Sequence, residues 1–533
     1  MKRILYFTLS LIILICWSSC RKDFNFSPSS GNLRFSKDTV YLDTVFTNIG
    51  SSTYNLKVYN QSNEDIVIPS IRFTKGYDSY YRMTIDGMTG ISNGTNESFG
   101  KVFENVEMLA KDSMYIFIET TIDIEELTSD DNQFLQTDAI EFDAGSNLQK
   151  VDLITLVKDA VFIYPQKYTD DQTGETITET LTFDIDGDGV ADETTLQGRF
   201  LEDNELNFTN EKPYVIYGYA AVNDGKTLTI DPGARVHFHA DSGLLVTEGG
   251  SLQVNGTPST DAELMEGEVI FEGDRLEPLF QDNPGQWQAI WLLTGSTNNT
   301  INHATIKNAT AALVVDGNMN DTEKLRITNS QIYNSSHYGI LGRATSINAE
   351  NIVINNSGQI SFAGTYGGNY NLVHSTIVNY WNTSFRQYPS VLLNNFFVDT
   401  DNNTFTNALE SANFTNCIIY GNDNLEFLLD DDSNDQFNFK FTNCLVRFNN
   451  SGSNLTGENY DFNDTNIYEQ VIFNEDPQFL DPFANKLQIP DNSPADGQGI
   501  VFGDLNSDIL NTPRSGTPDI GAYESIVFDD DED

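Results

Sequence analysis

The sequence predicts an all-β protein in which an N-terminal β-sandwich is followed by a parallel β-helix, a solenoid of stacked coils. Two observations predict this fold class. Segments that alternate apolar and polar residues, separated by turn signals, fill residues 33–164. A different, short pattern recurs six times between Ile301 and Val446. Aromatic residues make up 12% of the chain and charged residues 20%, which is typical of a folded protein rather than a disordered one.

The first 32 residues predict export and a lipid anchor. Lys2 and Arg3 precede the apolar run 4–15, and small residues precede Cys20, which is the order of a secretory signal peptide over residues 1–19. The stretch also resembles a bacterial lipobox, which implies that Cys20 is lipidated and begins a tether over residues 20–32. A plain signal peptide, which would leave Cys20 as an odd thiol, is the alternative. No other stretch is long and apolar enough to span a bilayer, so the lipid would be the anchor.

Residues 33–164 predict a β-sandwich of the immunoglobulin type. Short alternating segments recur there with turn signals about every 8–12 residues, as in two packed antiparallel sheets. They include residues 39–42, 54–59, 66–68, 114–118 and 151–154. The region resembles the sandwich modules that precede other domains in bacterial surface proteins, which usually act as spacers or contacts.

Residues 165–210 predict a linker with a calcium-type loop. Carboxylates at loop positions 1, 3, 5 and 9 and a Gly at position 6 match such a loop, and Val190 would offer its backbone carbonyl. The candidate ligands are Asp184, Asp186, Asp188, Val190 and Asp192. Thr195 stands at position 12 in place of the bidentate Glu, so Ca²⁺ would bind with modest affinity in a structural role. An acidic linker without a metal ion is the alternative.

The repeat sets the register of the predicted coils. One position of the repeat, here called the reference slot, always holds a branched apolar residue. This slot recurs at steps of 26, 22, 23, 42 and 27 residues. The slot holds Ile306, Ile332, Ile354, Ile377, Ile419 and Val446. Coils of 22–27 residues are too short for a strand, a helix and a second strand, and they suit three short strands joined by bends. The repeat therefore predicts a parallel β-helix.

The residue three positions before the reference slot marks a sharp bend. The members of this slot, the bend slot, are His303, Asn329, Asn351, His374, Asn416 and Asn443. Asn tolerates left-handed backbone geometry, and stacked amides would bond one another as a ladder. Both histidines are therefore predicted to be ladder members rather than catalysts. Cys417 and Cys444 share another slot in adjacent coils, where stacked free thiols are favoured over a strained disulfide.

The charge of the chain limits its partners. The formal net charge is −49 at pH 7. Such acidity argues against nucleic acid and anionic membrane surfaces as partners, and it disfavours polyanionic substrates unless cations bridge them. Solubility alone is the alternative reason for the acidity.

Three segments carry a family resemblance. Residues 518–524 (Pro-Asp-Ile-Gly-Ala-Tyr-Glu) closely resemble the ending of bacterial right-handed parallel β-helix proteins. Residues 212–218 and 284–287 are similar to segments of a Bacteroidetes lipoprotein family that pairs this sandwich with this solenoid. The resemblance implies a right-handed β-helix over residues 211–525, an acidic tail over 526–533, and an outer-membrane location facing the periplasm or the cell surface. It implies no activity.

The 42-residue step contains the candidate contact surface. Its binding residues are Tyr380, Trp381, Arg386 and Tyr388. Long insertions in repeat folds usually lie on the binding face, aromatic faces stack on sugar rings, and Arg supplies directed hydrogen bonds. Packing of the inserted loop onto the solenoid is the alternative. Elsewhere, His237 and His239 alternate on one strand and could face outward together, without an evident third metal ligand.

The function predicted from these features is binding or adhesion, without catalysis, towards glycan or a surface protein. The alternative is a polysaccharide lyase or glycoside hydrolase that acts in the lateral groove of the β-helix, an analogy with related folds. Basic residues are sparse, and no spaced pair of acids forms a motif. An outward-facing cluster of acidic and basic side chains on adjacent coils would favour the enzyme, whereas a flat aromatic or featureless face would favour binding.

Overall fold

The computed structural model describes residues 25–94, 99–123, 133–169, 174–184, 190–261, 264–317, 323–450, 455–514 and 516–528. The chain divides into two compact units, residues 1–159 and residues 160–533. Within the described ranges the regular elements are β-strands and short 3-10 helices, which confirms the all-β prediction. The 3-10 helices are Gly76–Asp78, Gly145–Asn147, Asp203–Glu205, Pro278–Phe280, Glu458–Tyr460 and Pro482–Ala484. No described helix is long and apolar enough to cross a membrane.

The first unit consists of two β-sheets that share one core. Its strands are β1 (Ser27–Pro28), β2 (Leu33–Phe35), β3 (Thr39–Phe46), β4 (Tyr54–Asn60), β5 (Ile66–Phe73), β6 (Tyr81–Ile85), β7 (Val102–Met108), β8 (Ser113–Thr120), β9 (Gln133–Phe142) and β10 (Gln149–Lys158). The six-stranded sheet has the order β1-β5-β9-β10-β3, with β7 also paired to β5, and the four-stranded sheet has the order β2-β4-β8-β6. Apolar side chains of both sheets form one buried cluster, as their alternating burial requires.

The second unit is built of short strands in three stacks. Its strands are β11 (Val161–Ile163), β12 (Lys167–Thr169), β13 (Thr176–Thr178), β14 (Thr180–Phe183), β15 (Asp192–Phe200), β16 (Asn207–Phe208), β17 (Tyr214–Ile216), β18 (Tyr219–Val222), β19 (Thr227–Ile230), β20 (Arg235–Phe238), β21 (Gly243–Val246), β22 (Ser251–Asn255), β23 (Val269–Gly273), β24 (Ile290–Leu292), β25 (Asn299–Asn302), β26 (Ala304–Lys307), β27 (Ala311–Asp316), β28 (Leu325–Ser335), β29 (Tyr338–Ser357), β30 (Ile360–Val373), β31 (Thr376–Asn379), β32 (Val391–Asn394), β33 (Phe396–Val398), β34 (Thr404–Thr406), β35 (Leu409–Thr415), β36 (Ile418–Gly421), β37 (Phe427–Asp430), β38 (Phe437–Thr442), β39 (Leu445–Val446), β40 (Tyr468–Glu469) and β41 (Ile472–Phe473).

Parallel pairing repeats every third strand in the regular part of this unit. The first stack begins β11-β17-β20-β23-β26, the second β15-β18-β21-β24-β27, and the third β16-β19-β22-β25-β28. The long strands β28, β29 and β30 bend at corners and contribute to more than one stack. Inward-facing residues from all three stacks form one continuous apolar core.

The repeat predicted the strand register correctly. Within the first stack the reference residues pair in sequence as Ile306–Ile332, Ile332–Ile354, Ile354–Ile377, Ile377–Ile419 and Ile419–Val446. Each bend-slot residue has positive φ, from 45° at His303 to 54° at Asn416. Asn351 donates to Asn329 Oδ1 at 3.1 Å, so the predicted ladder is present there. Cys417 and Cys444 are buried free thiols, as favoured.

The end of the described chain covers the outer face of the first stack. Outward-facing Val353, Val378, Ile418 and Leu445 meet apolar residues of this covering segment (residues 474–528), as one buried cluster. Its members include Leu487, Ile489, Ala495, Ile520 and Ala522. The Asp-Ile-Gly-Ala-Tyr-Glu ending therefore packs against the outside of the stack and does not extend it.

The region expected to be a linker contains regular structure. Strand β11 pairs with β17, so residues 160–164 belong to the second unit rather than to the sandwich region. Strands β12 and β13 form a hairpin, β14 pairs with β15, and β15 pairs in parallel with β18. These strands supply partners to the first regular strands, which would otherwise leave their backbone groups unpaired. The linker prediction for residues 165–210 is thereby corrected.

Candidate functional site

A column of rings marks one corner of the second unit. Tyr164, Tyr217 and His239 each follow a strand of the first stack, and parallel in-register pairing sets them above one another. The ring centroids are 5.2 Å apart between Tyr164 and Tyr217, and 4.3 Å between Tyr217 and His239. Gly218, next in the chain, has a φ of 68°, and a Cβ there would lie 2.7 Å from the carbonyl oxygen of Gln197. The turn that follows Tyr217 therefore requires glycine.

The column lines a polar cavity of about 540 Å³, here called the corner cavity. Its other lining side chains include Lys167, Thr178, Gln197, Tyr219, Asp241 and Gln288. Gln288 Nε2 donates to Asp241 Oδ1 at 2.9 Å, so two of these groups hold each other in place. Burial and the nearby Asp241 raise the pKa of Tyr219 to about 12, so its hydroxyl stays protonated at neutral pH. The cavity thus combines a wall of stacked rings with both donors and acceptors.

A buried carboxylate orients His239. Its Nδ1 lies 2.7 Å from Asp274 Oδ2, and Asp274 is itself buried. This hydrogen bond raises the pKa of His239 above its ordinary value, against the opposing effect of partial burial. Because the carboxylate engages Nδ1, Nε2 is the ring nitrogen left for a ligand in the cavity. His239 can therefore donate a hydrogen bond or exchange a proton there.

Charged side chains continue from this corner along the outer face of the first stack. His237 pairs in register with Glu272, and its Nδ1 lies 3.7 Å from Glu272 Oε1. Lys307, on the following strand of the stack, lies 2.9 Å from Glu272 Oε2. Both histidines point away from the apolar core, as the alternation predicted, but His237 is only 5% exposed, and each lies beside a carboxylate on or just after the next strand. Among the described residues no group of three or more His, Cys, Asp or Glu side chains is placed to hold a metal ion.

Two glutamates of this face have pKa values shifted in opposite directions. Burial raises the pKa of Glu268, whose Oε2 accepts a 2.9 Å hydrogen bond from Thr305. Burial also acts to raise the pKa of Glu272, but the neighbouring His237 and Lys307 outweigh it and the pKa is lowered. Carboxyls whose pKa values are driven apart can serve as an acid and a base.

The structure does not gather the four binding residues predicted in the long step onto one surface. Tyr380 packs edge-on against Phe483 of the covering segment. Trp381 is only 6% exposed, and its Nε1 donates to Ser384 Oγ at 3.0 Å. Tyr388 is 44% exposed and lines a separate cavity of about 590 Å³. For Trp381 the packing interpretation therefore holds.

Arg386 is also buried and serves the fold. Its guanidinium forms a bidentate ion pair with fully buried Glu426, at 2.7 and 2.8 Å. Ser390 Oγ donates to the same carboxylate at 2.7 Å, and Arg386 bonds the Tyr388 carbonyl at 3.0 Å. These bonds fix the inserted loop onto the start of β37, and Arg386 lines the same cavity of about 590 Å³ as Tyr388.

The calcium-type loop is only partly described. Asp186 and Asp188 lie outside the described residues, as does Cys20. Asp184 lines a cavity beside Trp291, Val190 is exposed, and Asp192 begins β15. The calcium prediction therefore stays a prediction.

The corner column was missed at the sequence level although a signal for it exists. Tyr164, Tyr217 and His239 each stand directly after the last inward-facing residue of a first-stack strand, and Asp274 occupies the same slot after β23. Extending the repeat towards the N-terminus from Ile306 would have aligned these four positions. The repeat is weaker there because the turns differ in length.

Comparison with known proteins adds no family. No family model matches the chain, and no curated protein matches it. Among solved structures, the catalytic domain of a GH87 alpha-1,3-glucanase in complex with tetrasaccharides is 10% identical over 73% of this chain and 81% of its own, with a TM-score of 0.15. A PapD-like domain of human CEP192 is 10% identical over 26% of this chain and 92% of its own, with a TM-score of 0.15.

A family 123 glycoside hydrolase from Clostridium perfringens is 6% identical over 25% of this chain and 30% of its own, with a TM-score of 0.17. Likenesses at these TM-scores carry no argument about fold or activity. The protein is all-β and has two units, and in the regular part of the second unit, from β15 to β25, each strand pairs in parallel with the strand three places further along the chain.

Proposed function

We propose that this protein is a lipid-anchored outer-membrane protein that binds glycan, without catalysis, in the corner cavity. The observation that carries the proposal is the ring column of Tyr164, Tyr217 and His239 along one wall of a polar cavity. The stacked rings form an apolar wall against which a sugar could pack, and Asp241, Gln288 and His239 supply directed hydrogen bonds to hydroxyl groups. Concave sites with apolar walls and a few convergent polar groups are the usual form of a small-ligand site.

The fold assignment belongs to the same proposal. We infer that the first unit is an immunoglobulin-like β-sandwich and the second a right-handed parallel β-helix. The shared core of two sheets supports the former, and pairing of every third strand supports the latter. A surface protein or a polysaccharide would be the partner of this solenoid.

The anchor and the calcium ion are further parts of the proposal. Lipidation at Cys20 predicts a mature chain heavier than its sequence by the acyl groups, and mass spectrometry of Cys20→Ala should show that this mass is lost. Ca²⁺ held by Asp184, Asp186, Asp188, Val190 and Asp192 predicts a Tm that rises with added calcium. A Tm that calcium leaves unchanged would remove the metal from the proposal.

The binding test compares three variants on neutral polysaccharides. The purified protein is run in native gels that contain dextran, xylan, mannan or laminarin. We expect at least one polymer to retard the wild type, and Tyr164→Ser and His239→Ala to weaken that retardation at least tenfold in Kd. Tyr168→Ser is the matched control, since Tyr168 is exposed on the nearby hairpin but does not line the cavity. Retardation by none of the polymers, or equal retardation of all variants, would refute the proposal.

Glycoside hydrolysis is the second candidate function, and one observation favours it. Arg235 and His237 on β20, Glu272 on β23 and Lys307 on β26 form a charged row across adjacent strands. In this alternative Glu268, with its raised pKa, is the general acid and Glu272 the base or nucleophile. Release of new reducing ends from the same polymers, abolished by both Glu268→Gln and Glu272→Gln, would establish the enzyme and replace the non-catalytic proposal.

A further inference from the structure

The outer face of the four-stranded sheet carries exposed aromatic side chains. On β8, Tyr115 is 44% exposed and Phe117 is 42% exposed, because alternate residues of this strand point away from the core. Their ring centroids are 6.1 Å apart with an interplanar angle of 16°, so the two rings lie side by side along the strand. Burying large rings would be favourable by a few kcal/mol, so leaving two adjacent rings exposed indicates a contact surface.

A lysine lies among these rings. Lys57 is directly opposite Tyr115 in the antiparallel register of β4 and β8. Its Nζ lies 4.9 Å from the Tyr115 ring centroid and 5.4 Å from that of Tyr59. No carboxylate of the described residues forms an ion pair with Lys57 within 4.0 Å. We call Lys57, Tyr59, Tyr115 and Phe117 the lysine platform.

The charge around the platform is opposite to that of the whole chain. The outward side chains of this sheet include three cations, Arg34, Lys57 and Arg82, and the carboxylate Glu119. Glu119 is paired with Arg82 at 2.9 Å, and exposed Asp86, whose N–H donates to the Tyr115 carbonyl at 3.2 Å just beyond β6, reduces the local charge to 3 − 2 = +1. Across the chain, in contrast, 78 acidic residues outnumber 29 basic ones. This face therefore combines exposed aromatic rings with a locally positive charge on an acidic protein.

We propose that the lysine platform binds an anionic polysaccharide, one that carries uronate or sulfate groups. Sugar rings would pack on Tyr115 and Phe117, and a carboxylate or sulfate would reach Lys57 and Arg34. The polar residues Asn55 and Thr84, which stand in register with Phe117, supply hydrogen bonds to hydroxyl groups. This ligand class differs from the neutral glycan proposed for the corner cavity, and the platform lies in the other unit.

The acidity of the whole chain favours anionic ligands of low charge density over densely charged ones. At physiological salt, charges beyond about 8 Å are largely screened, so the local cations decide contacts made on the platform itself. Duplex DNA carries a charge about every 1.7 Å along its axis and would extend over the acidic surroundings. A uronate polymer carries only one charge per sugar, so few of its charges meet the surrounding carboxylates.

The test uses matched polymers on the intact protein. Retardation in native gels is compared for dextran and dextran sulfate, which differ only in sulfation, and for polygalacturonate, which carries carboxylates. In Tyr164→Ser, whose corner cavity is impaired, we expect retardation by dextran sulfate or polygalacturonate but not by dextran, and the difference between the first two identifies the anionic group. Raising NaCl from 50 to 300 mM should weaken the binding, as an ionic contact requires.

Variants assign the binding to the platform. Lys57→Gln and Phe117→Ser should each raise the Kd about tenfold, whereas Lys57→Arg should retain binding. Tyr41→Ser is the control, since Tyr41 is 62% exposed on the other sheet of the unit. Each altered side chain is at least partly exposed, and the Tm of each variant verifies that the unit remains folded. Tyr164→Ser should leave this binding intact, which separates it from the corner cavity.

Several results would overturn the inference. Equal retardation by dextran and dextran sulfate would show that charge is not recognised. Unchanged binding by both Lys57→Gln and Phe117→Ser would place the site elsewhere. Tighter binding to phosphatidylglycerol vesicles than to either anionic polymer would make the platform a membrane contact instead.

Discussion

At the residue scale, His374 shows how a bend-slot position differs from a catalytic one. Its ring is fully buried beneath the covering segment, and Asn416 Nδ2 lies 2.8 Å from its Nε2. Burial, together with repulsion from Arg514, lowers the pKa of His374 to about 3. A neutral imidazole that accepts a ladder hydrogen bond is therefore the folded form, which confirms its ladder role.

This burial predicts a specific pH dependence of stability. The pKa of His374 is about 3 in the folded state and near 6.5 when unfolded, so the unfolded chain binds the extra proton as the pH falls below 6.5. The free energy of unfolding is therefore unaffected by protonation of His374 above pH 6.5. Below that pH it falls progressively towards pH 3, at up to about 1.4 kcal/mol per pH unit. Between pH 7.5 and 5.0, the free energy of unfolding measured in urea should fall by about 2 kcal/mol more for the wild type than for His374→Asn.

His374→Asn is the appropriate comparison because Asn fills this slot in four of the six coils and accepts positive φ. The variant keeps the carboxylates of the wild type, so their titration cancels in the difference. Identical pH profiles for the two proteins would show that His374 is not the titrating group.

At the element scale, the repeat predicted the strand pairings that recur along the first stack. It could not predict the contacts of the segments that do not repeat. Five reference pairings follow from side-chain spacing because each coil must present the same apolar slot to the core. A second ladder, Asn308–Asn334–Asn356, was missed although its members also have positive φ. Its spacing of 26 and 22 residues equals the first two steps of the repeat, so the sequence contained that signal.

In the long step, the local sequence pattern was insufficient to predict which side chains are buried. The step divides into the loop 380–390 and the β33–β34 hairpin, on either side of β32. The aromatic and basic composition of the loop predicted a contact surface, yet Arg386 faces Glu426 in the following coil. Removing only one partner of such a buried pair leaves an uncompensated buried charge, so the fold needs both residues for its stability. No pattern within the loop identifies a partner 40 residues away.

At the scale of the whole second unit, the covering segment closes the outer face of the first stack. The outer face of a β-sheet normally carries polar residues, but this one carries Val353, Val378, Ile418 and Leu445, all buried. Polar bonds add to the apolar contact: Asn416 Nδ2 donates to the Ile500 carbonyl at 2.7 Å, and Gly521 N donates to the Asn416 carbonyl at 2.8 Å. The segment therefore stabilises the same coils whose bends it contacts.

Removal of the covering segment should consequently expose an apolar strip. A chain ending at residue 474 is expected to aggregate or to bind the dye ANS, whereas deletion of residues 529–533 should change neither property. Point variants give the same comparison without truncation. Ile520→Asp would bury a charge and should lower the Tm, whereas Val527→Asp places the charge at an exposed position and should leave the Tm unchanged. Equal solubility and equal Tm in both pairs would show that the segment contributes little to stability.

The sequence by itself determined the all-β class, the register of the first stack, the bends at Asn and His, and the free thiols. These follow from side-chain periodicity, which acts between neighbouring residues and equivalent slots. Only the tertiary structure decided that the Asp-Ile-Gly-Ala-Tyr-Glu ending folds back over the outer face, and that Trp381 and Arg386 are buried. It also assembled the corner column and the lysine platform. The reason is physical: burial, charge pairing and ring stacking depend on residues from separate strands, whose meeting is set by the packing of the whole unit.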